Sequence, residues 1–579
     1  MSEAMPTRQN AGFTNRTCTM NTTITLTPDD LPLQRFYHWE RERPDAVFMT
    51  QPIGAGAVRD ITWSQAASET RRMAAWLTAQ GWPAGSKVAI LGKNSAHWIL
   101  ADLAIWMAGH VSVPIYPTFN GEALRYILEH SESRACFVGK LDEVSALGGV
   151  PKDVPLVILP LAPPLPGATW DQLIAANQPM TGKPVRDGED MSTIIYTSGT
   201  TGNPKGVMHR FNAMAWGLAS AARRVTMNSQ DRYLSYLPLA HVAERMIIEQ
   251  GALRNGSRIF FAESLDTFVQ DLNRARPTVF FSVPRLWVKF QQGVHSKMPP
   301  TKLKRLLKLP LIGNLVRRKV LKGLGLDQCR LAAGGAAPMP PDLLGWYRDL
   351  GLDLIEVYGM TENCGVSHAT VPGSFKPGTV GVPYEGVDSR IDPATGEIQM
   401  RCPALMIGYY KDPEQTAATM TADGWLRTGD KGQVNPDGCL RITGRVKDIF
   451  KTSKGKYVAP APIEDLLVTH PDVEACAVTG ANFAQPLAIV MLSPDAIKRI
   501  ADPAGRAALT ESLGAHLKAV NARIEAHEQL DCLAVVTNAW TPENGLVTPT
   551  FKVKRPRIED TYASHYEGWL AQRKPVVWA

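Results

Sequence analysis

Short apolar runs alternate with helical patterns along this chain from residue 31 to residue 442. Segments such as 63–80 have the periodicity of helices, whereas the runs between such segments have the length and composition of buried strands. The runs are residues 88–91, 111–116, 135–138, 279–283 and 354–358. Because strands and helices that take turns form parallel sheets covered on both faces, the pattern predicts an α/β fold.

Residues 196–206, with the sequence Tyr-Thr-Ser-Gly-Thr-Thr-Gly-Asn-Pro-Lys-Gly, concentrate the residue types that bind phosphate. Glycines let backbone N–H groups turn toward an anion, the hydroxyls add donors, and Lys205 adds a positive charge. The segment 191–196 predicts a strand, so the loop begins at a strand end, where open α/β sheets usually bind ligands. The Gly-Lys-Ser/Thr ending of a Walker A loop is absent. We therefore predict a phosphate-binding loop of a type other than Walker A. The alternative is a flexible surface loop.

The bulk properties exclude several classes of protein. A net charge of +7 over 579 residues is modest, and we expect no nucleic-acid partner. The eight cysteines are scattered without a C-x-x-C pair, which predicts a cytoplasmic protein without a disulfide framework or zinc site. No apolar run reaches about 18 residues, so we expect no transmembrane span. Residues 1–30 are polar and are expected to be disordered or an over-long start, with Met20 as an alternative initiator.

Residues 297–322 carry nine basic residues and no acidic one, interleaved with leucine, isoleucine and valine. This composition is typical of a basic amphipathic helix, which lies on anionic lipid. A solvated helical face is nevertheless the interpretation that the sequence favours.

Further upstream, the proline-rich stretch 151–166 is expected to cross the surface between subdomains.

Seven motifs occur in order along the chain: residues 196–206, 237–241 (Leu-Pro-Leu-Ala-His), 334–338 (Gly-Gly-Ala-Ala-Pro), 358–362 (Tyr-Gly-Met-Thr-Glu), 424–430 (Gly-Trp-Leu-Arg-Thr-Gly-Asp), 444–448 (Gly-Arg-Val-Lys-Asp) and 548–552 (Thr-Pro-Thr-Phe-Lys). Their order and spacing resemble the adenylate-forming superfamily, which contains acyl-CoA synthetases, luciferases and the adenylation domains of peptide synthetases. The resemblance runs from about residue 35 to the C-terminus, and the chain looks most similar to bacterial long-chain fatty acyl-CoA synthetases.

The resemblance implies a two-domain α/β architecture. The N-terminal ATP- and acyl-binding domain, residues 31–446, would consist of parallel-type sheets with covering helices and a distorted β-barrel subdomain. A small, mobile α+β domain, residues 447–579, would be a lid that carries the catalytic lysine. The sequence itself supports a second unit, because strand and helix patterns restart on a smaller scale after residue 445.

The resemblance also implies a nucleotide site for ATP. Its cofactor-binding residues would be Thr197, Ser198, Gly199, Thr200, Thr201, Gly202, Lys205, Gly335, Ala336, Tyr358, Thr361, Asp430, Arg445 and Lys552. In this assignment Tyr358 packs on the adenine, Asp430 and Arg445 hold the ribose, and Thr361 contacts phosphate. Glu362 would bind Mg²⁺, a hard cation that takes few protein carboxylates and completes its shell with phosphate oxygens and water.

The implied catalytic residues are Lys552, His241, Thr361 and Glu362. Lys552 would bridge the substrate carboxylate and the α-phosphate, and His241 would position the carboxylate. Phe551 stands where most relatives have glycine, a variation associated with the long-chain enzymes. The basic neighbours Lys554 and Arg555 make a misassignment by two or three positions the main risk.

The resemblance places a hinge at Lys447, where the lid would rotate between two closed states. In the second state Gly455, Lys456 and Tyr457 would face the channel for the pantetheine of CoA. A carboxylate is a poor acyl donor because its oxygen is a poor leaving group, and attack on the α-phosphate of ATP converts it to an acyl-adenylate. This chemistry requires neutralisation of the phosphate charge more than it requires a protein nucleophile.

The implied activity is the ATP-dependent conversion of a medium- to long-chain fatty acid to acyl-AMP, followed by transfer to CoA. Alternatives are a CoA ligase for an aryl, bile-acid or other bulky carboxylic acid, a fatty acyl-AMP/ACP ligase, and a non-catalytic acyl or nucleotide sensor. A homodimer and a peripheral membrane contact through residues 297–322 stay open.

Overall fold

The computed structural model describes residues 24–197, 203–548 and 552–579. Five predicted phosphate-loop residues, Ser198, Gly199, Thr200, Thr201 and Gly202, lie outside these ranges, and so does Phe551. The expectation of a disordered start concerns residues 1–30, of which residues 1–23 lie outside the described part.

The strands follow one another in short segments throughout the described chain. They are β1 Val47–Gly54, β2 Ala57–Thr62, β3 Lys87–Leu91, β4 Val111–Ile115, β5 Ser133–Val138, β6 Leu156–Ile158, β7 Ala168–Thr169, β8 Met191–Thr197, β9 Lys205–Arg210, β10 Arg232–Ser235, β11 Arg258–Phe261, β12 Val279–Ser282, β13 Leu331–Gly335, β14 Leu354–Tyr358, β15 His368–Ala369, β16 Val382–Pro383, β17 Asp388–Ile391, β18 Glu397–Arg401, β19 Gly408–Tyr409, β20 Leu426–Val434, β21 Leu440–Arg445, β22 Phe450–Lys451, β23 Tyr457–Val458, β24 Val473–Thr479, β25 Leu487–Leu492, β26 Leu533–Val536 and β27 Val576–Trp578.

Helices separate most of these strands. They are α1 Pro32–Glu42, α2 Trp63–Ala79, α3 Ala96–Met107, α4 Gly121–Ser131, α5 Trp170–Ala176, α6 Phe211–Arg224, α7 Val242–Glu244, α8 Gly251–Asn255, α9 Phe268–Ala275, α10 Pro284–Lys297, α11 Pro300–Leu307, α12 Ile312–Gly323, α13 Pro341–Asp349, α14 Pro413–Thr419, α15 Pro460–Leu467, α16 Pro494–Arg499, α17 Pro503–Asn521, α18 Arg555–Tyr562 and α19 Tyr566–Ala571. A π-helical stretch, Arg245–Gln250, joins α7 to α8.

The largest sheet has the strand order β19-β9-β8-β4-β3-β5-β6-β7. Strands β8, β4, β3, β5, β6 and β7 are parallel to one another, whereas β9 pairs antiparallel with β8 and β19 pairs antiparallel with β9. One face packs against α2 and α3, and all twelve residues of α3 are buried. The opposite face packs against α4. The prediction of parallel sheets covered on both faces is therefore confirmed.

Two further sheets build the walls of a cleft. The sheet β12-β13-β14-β15-β16 begins with three parallel strands, and its central strands end at Gly335 and Tyr358. The sheet β17-β18-β20-β21 is antiparallel and carries Asp430 opposite Arg445. A fourth sheet, β10-β11-β1-β2, packs into the main hydrophobic core.

Residues 447–579 form a smaller α+β unit. The sheet β24-β25-β26-β27 has one apolar face against α15 and α17, and the other against α18 and α19. The hairpin β22–β23 precedes it. The predicted α+β character of this part is confirmed.

Two local expectations from the sequence are wrong in part. The proline-rich stretch 151–166 contains β6, a strand of the main sheet whose Val157 is buried, so it is more than a surface crossing. The basic segment 297–322 is not one helix, because it breaks around Pro310 into α11 and α12. No helix of the described residues is long and apolar enough to cross a bilayer.

Candidate active site

Tyr358, Asp430 and Arg445 form one connected group at the end of β14. Asp430 lies opposite Arg445 in the β20–β21 ladder, and Nε of Arg445 is 3.2 Å from Oδ1 of Asp430. The Tyr358 hydroxyl donates a 2.7 Å hydrogen bond to Oδ2 of the same carboxylate. Burial and the neighbouring Asp430 hold the pKa of Tyr358 well above its usual value, so the hydroxyl keeps its proton. These three predicted nucleotide residues are therefore brought together.

Glu362 lies in a short 3-10 turn, Thr361–Asn363, that follows β14. Gly359 makes this turn possible, because a Cβ atom there would meet the carbonyl oxygen of Gly365 at 2.2 Å. Oε1 of Glu362 accepts a 2.7 Å hydrogen bond from the Tyr409 hydroxyl. The side chains of Thr361 and Glu362 are both half-buried. The turn thus presents a carboxylate whose orientation is fixed by Tyr409.

Tyr409 also links Glu362 to the phosphate loop. The Lys205 ammonium lies 5.5 Å from the centre of the Tyr409 ring, and it donates a 2.7 Å hydrogen bond to Oε1 of Gln415. Thr197 pairs with Lys205 across the β8–β9 ladder. Sequence reasoning missed Tyr409 and Gln415, and the aromatic pair Tyr409-Tyr410, which follows the apolar run 404–407, was the one signal for them.

Lys552 reaches the same cleft from the C-terminal region. Its backbone is held by hydrogen bonds in both directions with Thr548. Protein surrounds the side chain while the open cleft leaves it accessible to solvent. The surrounding protein lowers the pKa of Lys552, as does Arg445, whereas the carboxylates of Asp430 and Glu362 raise it. Lys552 is thus close to Asp430 and Arg445 of one sheet and to Glu362 in the turn that follows β14 of another.

The basic neighbours of Lys552 are engaged elsewhere. Arg555 donates hydrogen bonds of 2.8 and 3.0 Å to the carboxylate of Glu464 and a 2.7 Å hydrogen bond to the carbonyl of Val478. Burial, and then the charge of Arg557 in the C-terminal region, lower the pKa of Lys554, whereas the charges that act on Lys552 are those of Arg445, Asp430 and Glu362. The geometry therefore favours Lys552 as the lysine that faces the cleft.

His241 lies at the N-terminal cap of α7. Its Nδ1 accepts a 3.1 Å hydrogen bond from the backbone N–H of Ala243. Burial, and then the charge of Lys552, lower the pKa of His241 to about 3. The imidazole is therefore neutral at physiological pH and, because Nδ1 accepts, it carries its proton on Nε2. His241 can donate a hydrogen bond but has little capacity to hold a second proton.

Glu244 fixes the segment around His241. Its carboxyl group accepts hydrogen bonds from the Ser235 hydroxyl at 2.8 Å, the Tyr236 N–H at 2.9 Å and the Asn94 amide at 3.2 Å. Burial raises the pKa of Glu244 to about 8, although these donors oppose that rise. The group ties the end of β10 to the helix that His241 caps.

A second buried group supports the strand that leads into the phosphate loop. The guanidinium of Arg245 donates to the hydroxyl of Thr193 on β8 at 2.7 Å and to that of Ser112 on β4 at 2.8 Å. It also pairs with Asp102 and Glu249. Because a buried charge is costly without partners, Arg245 holds these elements in one arrangement.

Gly335 and Ala336 form the turn at the end of β13. A Cβ atom at Gly335 would lie 2.7 Å from the carbonyl oxygen of Val357, so only glycine fits beside β14. Ala336 has a left-handed φ of 65°. Burial raises the pKa of Glu356 to about 8, although a hydrogen bond from the backbone of Met339 opposes that rise. The loop is therefore held close to Tyr358.

The predicted hinge and CoA-channel residues are exposed on the surface. Lys447, Lys456 and Tyr457 are exposed, and Tyr457 retains 66% of its accessible surface. Gly455 has a left-handed φ of 77° in the turn between β22 and β23. This arrangement of the C-terminal region presents Lys552 to the cleft and leaves the hairpin in solvent.

The residues fit a hard cation that takes few protein ligands. The described part of the chain contains no group of three or more histidine, cysteine, aspartate or glutamate side chains able to enclose a metal. The half-buried carboxylate of Glu362 lies instead beside the Lys205 end of the phosphate loop, bridged by Tyr409. One carboxylate next to nucleotide phosphates suits Mg²⁺, which retains water and phosphate oxygens as ligands.

Comparison with known proteins agrees with this geometry. A family model described as AMP-binding enzyme matches residues 36–410, and one described as AMP-binding enzyme C-terminal domain matches residues 447–573. The long-chain-fatty-acid–CoA ligase FadD15 of Mycobacterium bovis is 30% identical over 588 residues, covering 93% of this chain and 96% of that protein. The peroxisomal long chain acyl-CoA synthetase 7 of Arabidopsis thaliana is 30% identical over 571 residues, covering 87% of this chain and 80% of that protein.

A solved structure shows the same fold. The anthranilate CoA ligase AuaEII, in complex with anthranoyl-AMP, superimposes with a TM-score of 0.75 at 22% identity over 94% of this chain and 100% of that chain. The predicted adenylate-forming fold is confirmed. Since a family model covers most of the N-terminal region and full-length relatives match at 30% identity, this chain belongs to the AMP-binding enzyme family.

Proposed function

We propose that the protein is an acid–CoA ligase that converts a medium- to long-chain fatty acid, ATP and CoA to acyl-CoA, AMP and pyrophosphate. One observation carries the proposal. The carboxylates of Asp430 and Glu362 raise the pKa of Lys552, and Lys552 lowers that of His241, so this lysine of the C-terminal region lies close to all three groups of the N-terminal region. A lysine that the C-terminal region brings to a nucleotide site in the N-terminal region suits a reaction at the α-phosphate.

In this proposal the nucleotide is held by groups that the fold has already oriented. The carboxylate of Asp430, fixed by Tyr358 and Arg445, accepts hydrogen bonds from ribose hydroxyls. Lys205 and the loop that precedes it neutralise phosphate charge. Glu362 would hold Mg²⁺, which supplies further charge neutralisation at the phosphates when bound.

The first chemical step joins the acid to AMP. An oxygen of the ionised carboxylate attacks the α-phosphorus, a new O–P bond forms, and the bond to pyrophosphate breaks. A carboxylate is already deprotonated at neutral pH, so no general base is required. The Lys552 ammonium offsets the repulsion between the carboxylate and the phosphate, and Nε2–H of His241 orients a carboxylate oxygen.

The second step transfers the acyl group. The CoA thiol releases its proton to solvent, its sulfur forms a bond to the acyl carbon, and AMP leaves with the bonding electrons of the C–O bond. Because Lys552 occupies the cleft in the arrangement seen here, a path for the thiol requires the C-terminal region to turn, with Lys447 as the hinge. Gly455, Lys456 and Tyr457 would then line the pantetheine channel, and their present exposure leaves them free to move there.

The class of acid is supported by relatives named for long-chain fatty acids that match nearly the whole chain. A panel of medium- and long-chain fatty acids, aryl acids and bile acids tests it, with AMP formation measured with and without CoA. We expect fatty acids to give AMP and acyl-CoA. A preference for aryl or bile acids would replace the substrate class, and transfer to a carrier protein but not to CoA would replace the acceptor. No AMP with any acid would contradict the proposed activity.

A further inference from the structure

Helices α11 and α12 form a hairpin on the surface, and only its inner side is buried. Leu303 and Leu307 of α11 pack against Leu350, together with Val316 and Val320 of α12, which are partly buried. Nearly all other side chains of residues 301–322 are exposed. We call the exposed side chains of residues 302–322 the basic turn surface.

The tip of the hairpin exposes aliphatic side chains to water. The exposed fractions are 42% for Leu309, 86% for Leu311, 48% for Ile312 and 69% for Leu315. These are four of the sixteen large apolar residues that are exposed in the described part of the chain, and they lie within seven positions. Single exposed apolar residues are ordinary, whereas a cluster of them marks an interaction surface.

The tip is a fixed turn. Leu311 has a left-handed φ of 62°, which is unfavourable for a leucine and persists only where neighbouring contacts impose it. The N–H of Gly313 donates to the carbonyl of Leu309 at 2.8 Å, and a Cβ atom at Gly313 would lie 2.5 Å from the carbonyl oxygen of Leu307. Arg317 donates to the carbonyls of Leu307 and Asp349 at 3.2 and 2.8 Å. The aliphatic side chains are therefore held outward.

Positive charge surrounds this apolar tip without compensation. Apart from Arg317, eight basic residues lie between residues 297 and 322, and all eight are exposed. The ion pairs recorded among the described residues include none of them, and the segment itself contains no acidic residue. A surface with this charge complements a negatively charged partner.

We propose that the basic turn surface docks on a membrane that contains anionic phospholipids. The aliphatic tip enters the headgroup boundary while the lysines and arginines lie over phosphate groups. A nucleic acid suits the surface less well, because residues 297–322 contain no aromatic residue that could stack on a base. Like charges on two copies would repel, which disfavours a second copy of the chain.

Membrane docking would also bring the enzyme to an apolar substrate. This benefit depends on the proposed function, whereas the docking itself does not. Helix α10 leads from the C-terminal end of β12 toward the basic turn surface, and β12 pairs with β13, whose end carries Gly335 of the active site. A docked enzyme would therefore meet an apolar acid at the surface where such acids partition.

The test measures binding of the full chain to sedimenting vesicles of phosphatidylcholine, with and without phosphatidylglycerol. One variant changes Leu311 and Leu315 to serine, and a second changes Lys302, Lys304, Lys319 and Lys322 to glutamine. We expect the wild type to bind the anionic vesicles preferentially and less strongly at high salt. Each variant should lower the partition coefficient about tenfold or more.

Matched controls change the same residue types elsewhere. Leu265 is 91% exposed, so Leu265→Ser removes an exposed leucine outside the surface. A second control changes the exposed residues Lys152, Lys183, Lys518 and Lys574 to glutamine. Both should bind as the wild type does, and every variant should keep its melting temperature and its AMP formation from a dissolved acid.

The membrane proposal would be overturned if the wild type showed no preference for anionic vesicles, or if both surface variants bound the vesicles as the wild type does. It would also be overturned if the surface variants lost binding to duplex DNA, or lost self-association, while their binding to vesicles stayed unchanged. A failure to form AMP would instead contradict the proposed function and leave the vesicle results standing.

Discussion

The hydroxyl of Tyr358 donates a 2.7 Å hydrogen bond to Oδ2 of Asp430. The bond joins the end of a parallel strand to an antiparallel sheet that follows it by about seventy residues in sequence. Arg445 contacts the other carboxylate oxygen at 3.2 Å, so Asp430 is oriented from two sides before any nucleotide arrives. In the proposed role of Asp430, a carboxylate oriented in this way would lose little entropy on binding ribose hydroxyls.

The variant Tyr358→Phe tests this orientation. Removing the hydroxyl leaves Asp430 with one partner fewer and keeps the ring beside the site. We expect the Kd for AMP, measured by calorimetry, to rise about fivefold to tenfold, which is about 1 kcal/mol and matches the net contribution of one ordinary hydrogen bond. Tyr347→Phe is the control, because Tyr347 donates to the Trp287 carbonyl in the core. It should lower the melting temperature and leave the Kd unchanged, and an equal change in Kd for both variants would contradict the account.

A second prediction concerns Tyr409, which orients Glu362 through a 2.7 Å hydrogen bond. Tyr409→Phe removes that bond but keeps the ring that faces Lys205. We expect the Mg²⁺ concentration needed for half-maximal ATP binding to rise about tenfold, because partners that orient a metal ligand matter nearly as much as the ligand. Tyr410→Phe, next in sequence, is the control, because it removes only a long 3.4 Å hydrogen bond to Glu132. This control should leave the required Mg²⁺ concentration unchanged. If ATP binding by Tyr409→Phe keeps the Mg²⁺ dependence of the wild type, the proposal that Tyr409 orients a metal ligand at Glu362 is contradicted.

The pH dependence of stability should report His241. Its pKa is about 3 in the folded protein and 6.5 without the protein environment, so the unfolded chain binds the proton more readily. The stability from neutral His241 is therefore present above pH 6.5 and is lost as the pH falls toward the folded-state pKa. The variant His241→Asn keeps a helix-capping side chain without this titration. Between about pH 7 and about pH 5 its melting temperature should fall less steeply than that of the wild type. Parallel slopes would show that His241 is not held neutral.

The contact between the two regions gives a further prediction. Arg285 of α10 pairs with Glu474 of β24, which joins the regions in the arrangement that brings Lys552 to the cleft. Because a partly exposed ion pair contributes little to the stability of the arrangement it joins, we expect Glu474→Gln to slow acyl-adenylate formation only about twofold to fivefold. Transfer from a supplied acyl-adenylate to CoA should not slow. Asp472→Asn, which removes a pair with Arg499 inside the C-terminal region, is the control. Equal slowing of both half-reactions by Glu474→Gln would contradict a role specific to this arrangement.

The sequence predicted the features that depend on local pattern. Alternating apolar runs and helical segments predicted the parallel sheets, and motif residues such as Tyr358, Asp430 and Lys552 proved to lie together. Tyr409 and Gln415 could not be predicted, because their contacts with Glu362 and Lys205 span 47 and 210 positions and depend on how three sheets assemble.

Two local misinterpretations have simple physical causes. The basic segment has the composition of one amphipathic helix, but Pro310 cannot continue a helix and the chain turns there. The proline-rich stretch 151–166 looks irregular, yet Leu156–Ile158 contains no proline and supplies the hydrogen bonds of a strand. In both cases composition was informative and the position of proline decided the structure.

The central claim is that Lys552 brings a fatty acid carboxylate and the α-phosphate of ATP together. The most direct test is Lys552→Ala assayed in both half-reactions, with Lys554→Ala as the neighbouring control. We predict that Lys552→Ala lowers acid-dependent pyrophosphate release by about a hundredfold or more, while transfer of a supplied acyl-adenylate to CoA stays near the wild-type rate. Equal loss in both half-reactions, or a loss in Lys554→Ala and not in Lys552→Ala, would contradict that claim.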